Sequence, residues 1–295
     1  MRDASPRFGG DWRADVLEEQ AVPQRLRQGS WIIVGSAVLL ALAVLSSANE
    51  RGPSAAATDP ARAAATAPIP SGPEGELIRY GRSLITDTQK YAASNITAGM
   101  SCAACHLAAG TAARGGSLLG IYATFPQWNS RARRFITLQD RIAECFLYSM
   151  NGRPPAYTSR EMIAMVAYIA FLSRGAAVGT GFPGQGFVRL HVHSPPNRQA
   201  GATIYAAQCA ACHGSDGSGY RGAFPPLWGA KSFNDGAGMN TKMAAFVKAN
   251  MPLGNAGSLS DRQAADVAAF VLSHQRPHFD RTRPIVFPPQ PAGFF

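Results

Sequence analysis

The chain has 295 residues, 46% hydrophobic and 16% charged, with 30 Gly and 21 Pro. That balance excludes a mostly disordered chain, a polytopic membrane protein and a long coiled coil, and the length suits two domains of ordinary size. A net charge of +10 points to an anionic substrate or partner.

The first expected element follows a tail, residues 1–30, in which five Arg balance five acidic residues. Residues 31–48 form an uncharged apolar run. With its flanks it reaches about 20 residues, or about 30 Å as a helix, enough to cross a bilayer. Arg25 and Arg27 precede it, which keeps the tail cytoplasmic and sends the remainder outward. An uncleaved transmembrane anchor is the preferred reading. A cleaved signal peptide ending at Ser46-Ser47-Ala48 is the alternative, although the leader before the run is long for one. Either reading exports the chain to the periplasm, the first with an inner-membrane tether. Residues 49–75 are rich in Ala and Pro without periodicity and read as a linker. Residues 76–295 carry a net +11, so the exported part holds the positive charge. Nucleic acid is not an expected partner there.

Cys102-Ala103-Ala104-Cys105-His106 and Cys209-Ala210-Ala211-Cys212-His213 both spell C-x-x-C-H, the attachment signal for c-type haem. Two thiols bond the porphyrin and the adjacent His lies under the iron. Two such motifs therefore predict two covalently bound haem c groups. A thioredoxin-like pair needs a βαβ context, which is absent. A zinc site would need the four thiols together, yet 107 positions separate the motifs.

The flanks repeat as well. Gly81 and Gly201 begin apolar helical stretches before the motifs. Phe125-Pro126 and Phe224-Pro225, each followed shortly by Trp128 or Trp228, come after them. Ser159 and Ser260 then open helices, with Ile163, Val166, Ala167 and Ala170 recurring at helical spacing in the first and Ala264, Val267, Ala268 and Val271 in the second, and Met162 and Met165 expected to pack in the core. The expected fold is all-α, two tandem cytochrome c-type domains after the transmembrane helix and linker. The N-terminal domain is 76–180, the C-terminal domain 181–295, and the seam lies in the Gly/Ser/Pro-rich stretch 173–187. Each half resembles the small helical cytochrome c fold, in which a proline carbonyl commonly accepts a bond from the proximal His. Pro225, twelve residues after His213, suits that role; Pro126, twenty after His106, suits it less. The Pro-rich tail from Arg276 is expected to wrap the surface in extended form.

Cys145 is left over. It lies 39 residues after His106, and Met251 lies 38 after His213. Methionine is the usual sixth ligand of electron-transfer cytochromes c. The duplicated frame therefore assigns His106 and Cys145 to the first iron and His213 and Met251 to the second. Met239, Lys242 and Met243 are rivals of Met251, and Met150 is expected to pack. A thiolate ligand lowers the reduction potential, and Arg131, Arg133, Arg134 and Arg141 form a cationic surround expected to depress the thiol pKa. Thr137 and Asp140 form a capping-box pattern opening a helix over 137–150, closed by Asn151-Gly152. Its spacing aligns Arg141, Cys145 and Ser149 on one face. His191 with His193, and His274 with His278, are expected not to bind metal.

Residues 76–275 resemble the dihaem thiosulfate dehydrogenases, the tetrathionate-forming cytochromes c. The likeness rests on Thr137-Leu138-Gln139-Asp140-Arg141-Ile142-Ala143-Glu144-Cys145 with Ser149-Met150-Asn151-Gly152, on Phe224-Pro225-Pro226-Leu227-Trp228-Gly229, on Ser232-Phe233-Asn234-Asp235-Gly236-Ala237-Gly238-Met239, and on Asn250-Met251-Pro252. The resemblance implies oxidation of two thiosulfate ions to tetrathionate, run backwards in some members. It also implies an active-site haem at His106 and Cys145, substrate-binding Arg141 and Arg131, and a site serine, Ser149. A second, electron-transfer haem at His213 and Met251 would pass electrons to a soluble or membrane-bound acceptor such as another cytochrome c. Some members carry an iron-binding lysine just before the methionine. Asn250 stands here, so no ligand switch is expected. The alternative is a membrane-anchored dihaem electron carrier with no substrate, which Cys145 and its arginines fit poorly.

Overall fold

The computed structural model describes residues 63, 67–220 and 222–280, all within one compact unit, 53–295. The expected tail 1–30 and apolar segment 31–48 lie outside the described residues, as do nearly all of 49–66 and all of 281–295. Among the described residues no helix is long and apolar enough to cross a membrane. Six helices there run eleven residues or more: α1 Gly72–Thr86, α2 Leu138–Tyr148, α3 Arg160–Phe171, α4 Arg198–Gln208, α5 Met239–Asn250 and α6 Asp261–Leu272.

Each half is built on a crossed helix pair, α1 against α3 and α4 against α6. The helix starts follow local chemistry. Ser159 accepts from the Met162 backbone N–H, Asn197 from those of Gln199 and Ala200, and Ser260 shares a reciprocal capping box with Gln263. Gly81 and Gly201 do not start helices. Both lie inside them, at the crossings. A Cβ on Gly81 would fall 1.9 Å from the Ala164 carbonyl oxygen, and one on Gly201 would fall 2.0 Å from that of Asp266. The repeat thus preserves a close backbone approach that a methyl group would block.

The inward face expected for α6 is observed: Ala264, Val267, Ala268 and Val271 are buried. In α3 the two methionines expected to pack, Met162 and Met165, are buried, but the periodic stripe from Ile163 is not the buried face. Met162, Met165, Tyr168 and Ile169 are buried, whereas Ile163 is 46% exposed. This helix is apolar nearly all round, so periodicity selects no face. The Gly81 contact at Ala164 and Tyr168 selects it instead. Met162 and Met165 are fully buried core residues, each contributing about 2 kcal/mol by removal from water.

The all-α expectation needs one correction. Strands β1 Gln127–Asn129 and β2 Arg134–Ile136 form a short antiparallel hairpin. Trp128 pairs across from Phe135, with their rings edge-to-face at 5.6 Å, a favourable cross-strand pair. Arg133, at φ +53°, turns the connection.

Two buried clusters result. The first centres on Leu84, Phe146, Met162 and Met165. The second centres on Met243, Leu259, Val267 and Val271, but also takes in Ala98, Met100, Tyr148 and Met150 from before the expected seam. Met150 therefore packs, as expected. Residues 173–197 link the halves without helix or strand. The tail begins to run back over the second half: the Gln275 and Pro277 carbonyls accept from Gly229 and Asp235 backbone N–H groups.

Candidate functional site

The two C-x-x-C-H segments share a backbone hydrogen bond, although the first is a 3-10 turn and the second an α-helical one. His106 N–H donates to the Cys102 carbonyl and His213 N–H to the Cys209 carbonyl, both at 2.9 Å. None of the five cysteines is in a disulfide. No group of three or more His, Cys, Asp or Glu among the described residues is arranged to hold a bare metal ion.

Each imidazole is oriented through Nδ1. His213 Nδ1 donates to the Pro225 carbonyl at 3.0 Å, the partner expected from spacing. His106 Nδ1 donates to the Gly116 carbonyl at 2.5 Å instead of to Pro126. Gly116 adopts φ +64°, and a Cβ there would lie 2.3 Å from the Cys105 carbonyl oxygen, so only glycine brings that carbonyl to the ring. With Nδ1 carrying the shared proton, Nε2 is left as the basic nitrogen in both rings. Burial lowers the pKa of both histidines and keeps them neutral; Arg141 adds to the effect at His106. Neutral rings with an oriented Nε2, beside unpaired thiols, fit covalent haem.

Burial pushes the Cys102 thiol up to about 11, against a bond from Thr88, and Cys105 to about 12. Cys145 adds to both rises, because its sulfur lies close enough to interact electrostatically with each. Helix α2 thus brings Cys145 to the first motif. It begins with the expected capping box: Thr137 Oγ1 accepts from Asp140 N–H, and the Asp140 carboxylate accepts from Thr137 N–H. Burial raises the Cys145 pKa, opposed by Arg141 and reinforced by Glu144. Arg141 thus lowers the thiol pKa as expected of a cationic surround, while desolvation acts against it and is the larger effect.

The four arginines separate into different roles. Arg141 Nη1 donates to Glu144 Oε2 at 2.8 Å, and the Glu144 side chain is only 1% exposed while that of Arg141 is 51% exposed. Asn129 Nδ2 donates to both oxygens of Glu144 at 2.9 and 3.2 Å. Arg141 has a raised pKa, chiefly through Cys145. The Arg131 guanidinium lies 4.1 Å from the Tyr148 ring centroid. Arg134 bonds the buried Asp140 at 3.1 Å and so joins the helix start. Arg133 is exposed at the hairpin turn. Ser149 caps α2, its N–H donating to the Cys145 carbonyl at 2.9 Å.

Met251 caps α5, where its N–H donates to the Val247 carbonyl at 2.9 Å. Of its rivals, Met243 is buried in the second cluster and Met239 packs against it. His191 and His193 are exposed. His274 stacks on Trp228 at 4.0 Å, and His278 bonds Asp235 at 2.6 Å.

Sequence reasoning missed Glu144, Asn129, Tyr148, Thr88 and Gly116. An i,i+3 Arg–Glu pair beside the odd cysteine was a usable signal for Glu144. The others bear on the site through contacts that no local motif announces.

Comparison with known proteins agrees with this arrangement. Residues 88–178 match the SoxA/TsdA cytochrome c domain, and residues 196–271 match the family described as cytochrome c oxidase, cbb3-type, subunit III. A thiosulfate dehydrogenase of Allochromatium vinosum is 42% identical over 257 residues, covering 83% of this chain and 93% of that protein. One from Stutzerimonas stutzeri is 43% identical over 225 residues, 72% of each. The solved thiosulfate dehydrogenase (TsdBA) of Marichromatium purpuratum superimposes with a TM-score of 0.68 at 38% identity over 72% of this chain. The present chain spans about half of that one, 49%.

The fold and the two motifs define a tandem c-type cytochrome with two covalently bound haem c groups. Within that class, the chain belongs to the thiosulfate dehydrogenase family and is an oxidoreductase.

Proposed function

We propose that the protein oxidises two thiosulfate ions to one tetrathionate beside the first motif, and passes two electrons through the second haem to an acceptor cytochrome. His106 and Cys145 serve as ligands in the first site, His213 and Met251 in the second. The chain works in the periplasm, tethered by residues 31–48. The observation that carries this reading is that Cys145 is close enough to Cys102 and Cys105 to act on both thiols electrostatically, with Arg141 held one turn away on the same helix by the buried Glu144.

The substrate's charge explains the arginines. Two dianions about 5 Å apart repel by about 3 kcal/mol even at the dielectric of water, and by more in a drier site. Guanidinium groups bind such oxyanions with directed, charge-assisted bonds. Arg141 is anchored at one edge by Glu144 and is half exposed, so its remaining donors serve an incoming anion. Arg131 is the second cation, stacked on Tyr148 of the same helix.

The bound haems supply two one-electron acceptors, which matches the two electrons released when one S–S bond forms. In the chain's own chemistry, the Cys145 thiolate and one thiosulfate join through an S–S bond and give up two electrons. The second thiosulfate attacks that bond, tetrathionate leaves, and the thiolate is restored. Tetrathionate reduction is the same sequence reversed.

The test is thiosulfate-dependent reduction of ferricyanide by the purified dihaem protein, with electron paramagnetic resonance of the oxidised form. Activity and a low-spin thiolate signal, both lost in Cys145→Gly, support the assignment. Activity that survives Cys145→Gly overturns it.

A further inference from the structure

Asn250 ends α5 and immediately precedes Met251. Although polar, it is only 7% exposed. Its Nδ2 donates to the Phe246 carbonyl on its own helix at 2.9 Å, and to the Arg114 carbonyl, 136 positions away in the first half, also at 2.9 Å. Both amide hydrogens are therefore used, which offsets the cost of burying the group.

The loop it reaches is itself braced. Leu107 N–H donates to the Gly115 carbonyl at 2.9 Å, and Arg114 N–H to the Gly184 carbonyl at 2.8 Å. The Arg114 guanidinium donates to the Gln185 carbonyl at 2.8 Å. The next carbonyl, that of Gly116, is the one that orients His106. Two hydrogen bonds and three loop residues thus connect the His106 ring to the residue beside Met251. Gly115 presses on the same carboxamide: a Cβ there would lie 3.0 Å from Asn250 Oδ1.

We propose that Asn250 is a positioning residue that joins the two haem sites. It pins the Met251 segment to the loop that aims His106, so the methionine ligand of the second site is held in place by the first half of the chain. This rests on the assignment of His106 and Met251 as iron ligands. Bonds one step removed from a ligand fix its orientation and tune the iron, and a Met ligand raises the haem potential.

Three variants of the dihaem protein test it, read by the thioether–iron absorption band of the oxidised form and by redox titration of each haem. Asn250→Ala removes both donors. Asn250→Asp keeps the shape but turns a carboxylate toward two carbonyls. Gly115→Ala pushes on the carboxamide from the first half and leaves the second half's sequence intact. The expected result in Asn250→Ala and Asn250→Asp is loss of the band and a lower potential for the second haem, with the first haem's thiolate signal retained; in Gly115→Ala it is a smaller change of the band and potential in the same direction. Should Asn250→Ala fail to accumulate, Gly115→Ala decides the matter alone. A band and potential unchanged in Gly115→Ala overturn the link, whatever Asn250→Ala does, and leave Asn250 a local helix-end residue. If the band survives Met251→Ala, the ligand assignment itself falls, and the link with it.

Discussion

Glu144, the residue next to Cys145, and Arg141, one turn before it, form an ion pair in which one partner is buried and the other open, the carboxylate accepting from Nη1 at 2.8 Å. The pairing is structural on the Glu144 side, where Asn129 also binds, and available on the Arg141 side. Arg141→Ala is expected to raise KM for thiosulfate about 10- to 100-fold, the loss of a charge-assisted bond or two, with little change in the haem spectrum. Glu144→Gln leaves the guanidinium in place but less firmly held, so a rise of about 3- to 10-fold is expected. Steady-state kinetics with ferricyanide check both, and an unchanged KM in Arg141→Ala contradicts the role.

Cys145→Gly separates catalysis from haem attachment. Both porphyrins stay bound through Cys102, Cys105, Cys209 and Cys212, so the haem stain and the reduced absorbance peak should persist. Turnover should fall more than about a thousandfold, as expected when a reacting nucleophile is removed. Mass spectrometry for two haems alongside the kinetic assay distinguishes this outcome from simple misfolding.

Gly81→Ala and Gly201→Ala place equivalent methyl groups against equivalent carbonyls at 1.9 and 2.0 Å. Each should destabilise its half by about 1–3 kcal/mol, the usual cost of overpacking, which lowers Tm by about 2–4 °C per kcal/mol in a domain of this size. Thermal melts followed at the Soret band of the dihaem protein measure it. A surface alanine in α1, such as Arg82→Ala, serves as the control.

Asp140 carries an acid-sensitive part of the site's support. Burial works to raise its carboxyl pKa, but bonds from Tyr157, the Thr137 N–H and Arg134 outweigh that and hold it below the ordinary carboxylate value. A group depressed in the folded state stabilises fully above its unfolded pKa, near 4, and loses that contribution as pH falls through the lower folded value. Asp140→Asn should therefore cost about 1–3 kcal/mol at neutral pH and flatten the fall in Tm below about pH 4. A parallel pH–Tm series for the wild type and the variant is the measurement. Parallel curves of equal slope contradict the assignment.

Elements with local signals were legible in the sequence. The capping residues Thr137, Ser159 and Ser260 and the α6 face follow from local pattern, and the Pro225 partner of His213 from the resemblance to the cytochrome c fold. The failures were of another kind. The α3 face was set by a glycine 83 positions upstream, Gly81 meeting Ala164. The partner of His106 was a left-handed glycine and not a proline, because a positive-φ carbonyl leaves no motif. The burial that opposes Arg141 at the Cys145 thiol depends on how deeply α2 packs, which charge counting cannot supply. The hairpin 127–136 was hidden because two three-residue strands are too short for alternation to register.

Tyr148 ends the helix that carries Cys145 and Met150 follows just after its cap, yet both are interred among side chains of the other half. The two halves are consequently not a pair of separable modules. A peptide bond severed in 173–197 should leave two fragments that remain noncovalently joined and co-elute under native conditions. Neither piece, expressed by itself, should be as soluble as the whole.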